Sequence, residues 1–351
     1  MSPHYDFDIT PEKEASISQY FHRQLFVTPP VVSPNEVDLT GKTAIVTGSN
    51  IGLGLECARQ LLDLKLSKLI LAVRTPSKGE AARSELLAGR KLHPDAIEVW
   101  PLDLSRYDSV TKFAERANTL EHLDIAIMNA GLYKVEKSIN PATGFEEDVQ
   151  VNFLSTALLA ILLLPVVKAK RSGYGPGRIT IVSSDTAEWA KFEERKSNPI
   201  LAAFKDTKAK WNMQERYGTS KLLGQLFVSE LSERISPAVV TVDACNPGFC
   251  YGSGLQREGE GTVLGFIVRV ITRIIGRTVP EGARPLTAAA VKFGPEVHGQ
   301  YVEDCKIRPM APLLYKPEGK SIAKKLWDEL MNELAFAHAR DIVSGFETSG
   351  Q

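Results

Sequence analysis

Cysteine is scarce in this chain and unpatterned. Its four cysteines (Cys57, Cys245, Cys250, Cys305) form no Cys-x-x-Cys pair and no Cys/His cluster. A structural metal site and a secreted disulfide framework are therefore not expected, and a reducing compartment fits better. Neither sign of charge is in excess: 42 Lys plus Arg face 42 Asp plus Glu. That balance argues against a nucleic-acid partner and against an acidic tail. No apolar run reaches the ~20 residues needed to span a bilayer. The longest, Phe153 to Val167, is broken by Pro165 and reads as a buried helix. The start, MSPHYDFDIT, has no basic stretch followed by an apolar one, so no signal peptide is expected and the expected location is cytoplasmic. There is no internal repeat and no low-complexity tract. What remains is 351 residues, 43% apolar and 24% charged, enough for one large α/β domain with a substantial core.

Residues 1–38, with Pro29, Pro30 and Pro34 near their end, read as an N-terminal arm on the domain or a partly ordered extension. From Lys42 onward, short β-branched runs alternate with helical patterns. The runs are 43–47, 68–73, 96–100, 123–128, 178–183 and 239–244. Helix-compatible segments fall at about 54–65, 77–90, 106–119, 145–170 and 215–235. Strands apolar on both faces and joined by long crossovers imply right-handed βαβ units around a parallel sheet. The expectation is a single doubly wound Rossmann domain over 39–310, with a sheet of about seven strands and helices on both faces. Residues 311–351 form a C-terminal helical extension, whose helix at about 320–338 places Leu326, Leu330 and Leu334 on one face.

The first run leads straight into Thr47-Gly48-Ser49-Asn50-Ile51-Gly52-Leu53-Gly54 and then a helix. Gly48 allows a tight turn, Gly52 lets backbone approach a pyrophosphate, and Gly54 lets helix and strand pack closely. The helix N-terminus adds N–H groups and positive dipole. Gly48, Ser49, Ile51, Gly52 and Gly54 are thus candidate cofactor contacts. At the end of the second strand stands Arg74, where an acid would bind a ribose 2′-hydroxyl. A guanidinium there suits the 2′-phosphate of NADP(H); a solvated surface arginine is the alternative. Asp103 is placed to meet the adenine edge or to cap the following helix.

Tyr217-Gly218-Thr219-Ser220-Lys221 puts a phenol and an amine four apart on one helix face. Asn129-Ala130-Gly131 follows the fourth strand, Ser184 the fifth, and Pro247-Gly248 the sixth. Together with the glycine cradle these motifs resemble the short-chain dehydrogenase/reductase superfamily, in the family's order, over about 40–310. Tyr301-Val302-Glu303-Asp304-Cys305 is similar to the retinol-dehydrogenase-like branch and its fungal secondary-metabolism relatives. The resemblance implies an NADP(H)-dependent oxidoreductase with Tyr217 as acid/base. Lys221 is expected to lower the phenol's pKa and, by resemblance, to bind the nicotinamide ribose. Ser184 is expected to polarise the substrate oxygen. Asn152 matches the family's water-holding helix asparagine. Asn129, Pro247 and Gly248 match cofactor-binding positions, although Asn129 could equally hold backbone geometry. Ser183 competes with Ser184; the resemblance favours Ser184, and strand alternation admits only one of them to the site.

Three departures from the family pattern stand out. Met128 replaces the usual asparagine. Phe249-Cys250-Tyr251-Gly252-Ser253 lacks the threonine common there. The 33-residue step from Ser184 to Tyr217 is much longer than in compact members, and reads as an extra wall over the substrate cleft or a surface excursion. The segment 249–280 would cap the substrate in this family. Its Phe266, Ile267, Val270, Ile271 and Ile274 suggest a medium-sized apolar substrate. Arg269 and Arg273, four apart, leave open an interfacial membrane helix, with a lid or a dimer contact favoured. The resemblance also makes a homo-oligomer an expectation. Two other readings compete: a non-catalytic NADP-sensing module, which an intact Ser184, Tyr217 and Lys221 argue against, and a sugar-nucleotide epimerase, for which little chain remains after 310.

Overall fold

The computed structural model describes residues 5–173, 175–255, 272, 273 and 275–346. Runs rich in aliphatic and β-branched residues form strands because such side chains suit a pleated surface covered on both sides. In chain order these are β1 (Thr43–Thr47), β2 (Lys68–Val73), β3 (Ile97–Pro101), β4 (Ile125–Met128), β5 (Gly177–Val182), β6 (Val240–Asn246), β7 (Tyr301–Glu303) and β8 (Lys306–Arg308). They make one sheet in the order β3-β2-β1-β4-β5-β6-β7-β8. β1 to β7 are parallel and β8 runs antiparallel beside β7. The six strands expected from the sequence are present, two with the expected ends and four with ends shifted by one or two residues. β7 and β8 have three residues each, too few to display a period. Asp304 and Cys305 turn the chain between them with φ of 53° and 58°, the twist a two-residue hairpin requires.

Alternation along the strands sorts side chains into two cores. Ala44 and Val46 join one apolar cluster and Ile45 the other. The helices Gly52–Asp63, Pro76–Leu87 and Val279–Val291 cover one face. The helices Tyr107–Ala117, Thr156–Lys170 and Met213–Ser232 cover the other, and Pro317–Glu333 packs outside Met213–Ser232. The order of the sheet reverses between β1 and β4, which opens a crevice at their C-terminal ends. The apolar stretch before Lys170 is a core helix: Glu147–Lys170 is long and apolar enough to cross a membrane, yet its apolar window is 89% buried.

Three segments outside the alternation are built into this frame. In the arm, the helix Ile17–Phe26 buries Arg23 and Gln24 against the sheet's C-terminal end. Residues 185–212 fold into short helical turns and loops whose Phe192, Ile200 and Phe204 are fully buried, and 213–216 already belong to the helix Met213–Ser232. Glu329 of the C-terminal helix accepts from the backbone N–H of Ile200 and of Leu201 at 2.9 and 2.8 Å, fastening these turns to that helix. Leu326, Leu330 and Leu334 are all buried, as their spacing predicts. Of the expected substrate cap, Phe266, Ile267, Arg269, Val270, Ile271 and Ile274 lie outside the described residues.

Leu330→Ala should therefore destabilise the whole domain by about 2–4 kcal/mol, the usual cost of a buried cavity. Urea unfolding would measure it, and a change near zero would mean that the C-terminal helix contributes nothing to the core.

Candidate active site

The crevice begins where β1 ends. Gly48 turns the chain with φ 65° while its N–H donates to Ala72 O at 2.8 Å. Gly52 opens the next helix at φ 59°. A Cβ on Gly54 would sit 2.4 Å from Asn129 Nδ2 and 2.6 Å from Gly48 O, so only glycine permits this approach of helix and strand. Ile51, preceding the helix, supplies no side-chain cap. Among the described residues no N-cap side chain takes up the first-turn N–H groups, which suits an anion. A pyrophosphate fits this cradle.

The surrounding candidates divide. Ser49 is fully buried and donates its hydroxyl to Val46 O at 2.8 Å, leaving only backbone for a ligand. Asn129 donates to Thr47 O at 2.8 Å and so stitches β4 to β1; of the two readings of this residue, the structure displays the backbone one. Arg74 is exposed just beyond β2. Asp103 Oδ1 accepts from the N–H and hydroxyl of Ser105 at 3.0 and 2.8 Å, closing a turn before the next helix. Pro247 and Gly248 follow β6. Gly248 adopts φ 73°, and a Cβ there would meet Arg277 Nη1 at 2.8 Å and Gln24 Oε1 at 3.1 Å.

Across the crevice runs the helix Met213–Ser232, capped by Asn212, whose side chain accepts from Glu215 N. It presents Tyr217 and Lys221 one turn apart. Lys221 Nζ donates to Val182 O at 2.8 Å, at the end of β5, and lies 5.7 Å from the Tyr217 ring centroid. Ser183 and Ser184 then separate as alternation requires. Ser183 Oγ accepts from Gln225 Nε2 at 3.2 Å, on the packed side. Ser184 is the serine beside Tyr217, with Oγ 3.1 Å from Asp185 Oδ1. Asn152 sits in a π-helical turn, Gln150–Ser155. Its side-chain amide accepts from Leu132 N at 2.8 Å and donates to Leu132 O and Ser220 Oγ, both at 2.9 Å. These bonds clamp the Gly131–Leu132 loop against the helix. A Cβ on Gly131 would lie 3.1 Å from Asn152 Oδ1 and 3.5 Å from Lys221 Nζ.

Burial dominates the electrostatics of this pair. The net shift at Tyr217 is upward: burial raises its pKa, and the negative charges of Asp185 and Asp148 add to that. Burial also pushes Lys221 down to about 8, which weakens its own charge. Its nearest partner is a neutral carbonyl, so the ammonium is neither fully paired nor solvated.

Three neighbours went unnoticed in the sequence. The Tyr133 ring meets the Tyr217 ring edge-on at 4.9 Å. Asp148, fully buried one turn before Asn152, accepts from Lys134 N at 3.3 Å and is pushed up to about 7 by burial. Asp185 directly follows Ser184. The one available signal was position: Asp148 stands four residues before Asn152, and Asp185 one after Ser184.

The family model for short chain dehydrogenases matches residues 42–194. The chain is 57% identical over 340 residues to the short-chain dehydrogenase fogG of Aspergillus ruber, covering 96% of this chain and 97% of that protein. It is 42% identical to the short chain dehydrogenase/reductase mfmJ of Annulohypoxylon moriforme, covering 97% and 98%. Among solved structures, an NADPH-bound short chain oxidoreductase from Pseudomonas aeruginosa superposes with a TM-score of 0.57 at 19% identity, covering 76% of this chain and 96% of that one; this likeness is one of fold.

A buried amine held by a single carbonyl costs stability. Lys221→Met should raise the melting temperature by about 2 °C, roughly a 1 kcal/mol gain, while removing turnover. Thermal unfolding at neutral pH checks this, and a lower melting temperature would mean that the amine is well compensated.

Proposed function

Since the chain belongs to the short-chain dehydrogenase family, we propose that it is an NADP(H)-dependent reductase acting on a ketone or aldehyde of a medium-sized apolar molecule. The observation that carries this reading is the meeting of Tyr217, Lys221 and Ser184 at the C-terminal end of β5, in the sheet whose β1 leads into the Gly48–Gly54 cradle. The backbone of Gly48, Ser49, Ile51, Gly52 and Gly54 would hold the pyrophosphate, and Arg74 the 2′-phosphate. Asp103 and Asn129 would border the adenosine and nicotinamide halves, and Pro247 and Gly248 would contact the nicotinamide end. Bound NADPH supplies a hydride to the carbonyl carbon.

The chain's own groups handle the oxygen. Ser184 donates a hydrogen bond to the carbonyl oxygen and stabilises the charge that develops there. Tyr217 gives its phenolic proton to that oxygen as the alcohol forms. Its raised pKa keeps the phenol protonated at neutral pH, the form that a reduction requires. Lys221 would bind the nicotinamide ribose and oppose the charge left on the phenolate before solvent reprotonates it. Asn152 holds the loop through which the proton would be resupplied. The similarity to fungal short-chain dehydrogenases fits a role in secondary metabolism.

Two measurements test this. Tyr217→Phe should lower turnover by roughly 10²–10⁴-fold, the range of a lost acid/base, while NADPH binding followed by fluorescence stays intact. Retained turnover would remove Tyr217 from the reaction. Arg74→Asp should shift preference from NADPH toward NADH by about tenfold or more, because a charge-assisted contact becomes a repulsion. An unchanged ratio of kcat/KM values for the two cofactors would mean that Arg74 does not read the 2′-phosphate.

A further inference from the structure

The arm lies outside the residues that the family model matches, and its helix Ile17–Phe26 is inverted relative to an ordinary surface helix. Ile17, Phe21, Leu25 and Phe26 are exposed, whereas Arg23 and Gln24 are buried. Burying a polar side chain is unfavourable unless it finds partners. The partners of these two show what the helix holds.

Both side chains converge on the backbone that follows β6. Gln24 Nε2 donates to Phe249 O at 2.8 Å and to Ile275 O at 2.9 Å, and Gln24 Oε1 accepts from Phe249 N at 3.1 Å. One amide thus engages both the N–H and the carbonyl of a residue 225 positions away. A Cβ on Gly248 would lie 3.1 Å from the same Oε1. Arg23 reaches Gly248 by relay. Its Nε lies 3.1 Å from Glu303 Oε2, Glu303 Oε1 accepts from Asn246 Nδ2 at 2.8 Å, and Asn246 Oδ1 accepts from Gly248 N at 3.0 Å. Burial and the neighbouring acids Asp304, Asp185 and Glu14 push the Glu303 pKa up, and Arg23 is the charge that opposes them. Arg277 secures the end of the arm helix, donating to the carbonyls of Arg23 and Val27 at 2.9 and 3.2 Å, while its own N–H donates to Phe249 O at 2.8 Å.

This backbone borders the cofactor crevice. It leaves β6 at Pro247 and returns to the cradle, where a Cβ on Gly52 would collide with the Ser253 carbonyl. Gly248, Gly252 and Gly254 leave the stretch few side chains with which to fix itself. We propose that Gln24 is a positioning residue: through Phe249 and Gly248 it sets the backbone against which the nicotinamide half of the cofactor lies. This rests on the reading of Pro247 and Gly248 given above. The amide is suited to the task because it donates and accepts at once. A carboxylate in its place could only accept and would face two carbonyl oxygens, and a hydrocarbon would leave the Phe249 N–H without this partner.

Two consequences follow from the geometry. Arg74 stands beyond β2, four strands from β6 in the sheet, so loss of the Gln24 amide weakens one end of the dinucleotide and spares the other. Coupling is also reciprocal: a ligand that fixes Gly248 and Phe249 fixes the arm.

The test uses the full chain and two ligands: NADPH, followed by its fluorescence, and adenosine 2′,5′-bisphosphate, which lacks the nicotinamide half, followed by calorimetry. Gln24→Met keeps the length of the side chain and removes its donors and acceptor. Phe26→Ser, on the exposed face of the same helix, is the control. In Gln24→Met the Kd for NADPH rises about tenfold, the worth of one hydrogen bond, while the Kd for the bisphosphate stays within about twofold; Phe26→Ser changes neither. In the wild type, hydrogen–deuterium exchange over 20–27 slows when NADPH binds and not when the bisphosphate binds, a readout that needs no variant to fold. An unchanged NADPH Kd in Gln24→Met, equal weakening of both ligands, or arm exchange indifferent to NADPH overturns the proposal. A wild-type chain that binds neither ligand would instead remove the NADP(H) reading itself.

Discussion

The Lys221 ammonium, donating to the carbonyl of Val182, ties the helix that carries Tyr217 to the end of the strand that leads into Ser184. Two groups 33 residues apart in sequence are thereby set against one another at the rim of the crevice. The bond is made by a side chain without solvent around it, so the fold holds a charge in an unfavourable place in order to hold the geometry. Such placement is characteristic of sites where chemistry, rather than stability, decides which residue is present.

Dryness then decides the protonation of everything nearby. Burial is the largest influence on Tyr217, Lys221, Asp148 and Asp185 alike, and it drives each toward its neutral form. A site whose buried acids are pushed toward their neutral forms, with a phenol that keeps its proton, is suited to giving protons. In an oxidoreductase of this family, that fits delivery of a proton to an oxygen gaining electron density.

The segments that interrupt the βα alternation reinforce this arrangement. Arg216, next to Tyr217 in the chain, pairs with Glu146 and with Glu194 at 2.8 Å and lies over the Phe204 ring at 4.8 Å. The long excursion before the catalytic helix is therefore fastened to that helix. The arm reaches the same region from the other side: Gln24 donates to the Phe249 and Ile275 carbonyls at 2.8 and 2.9 Å, and Trp189 donates to Ala15 O at 2.8 Å. Parts of the chain that are far apart in sequence meet around Ser184 and Gly248.

What could be read in advance was local. A glycine cradle lies within eight consecutive residues, a phenol and an amine lie one turn apart, and strand runs declare themselves by composition, because each depends on backbone geometry over a short span. The choice between Ser183 and Ser184 was posed by alternation, and the packing of Gln225 then showed which serine faces the core. The short hairpin of β7 and β8 carried too few residues to show a pattern. The sign of the Tyr217 shift, the buried Asp148, and the acid cluster joined by Glu14, Asp185 and Glu303 came only from the tertiary structure. Burial and charge balance are sums over neighbours from distant parts of the chain, and no window of sequence contains those neighbours together.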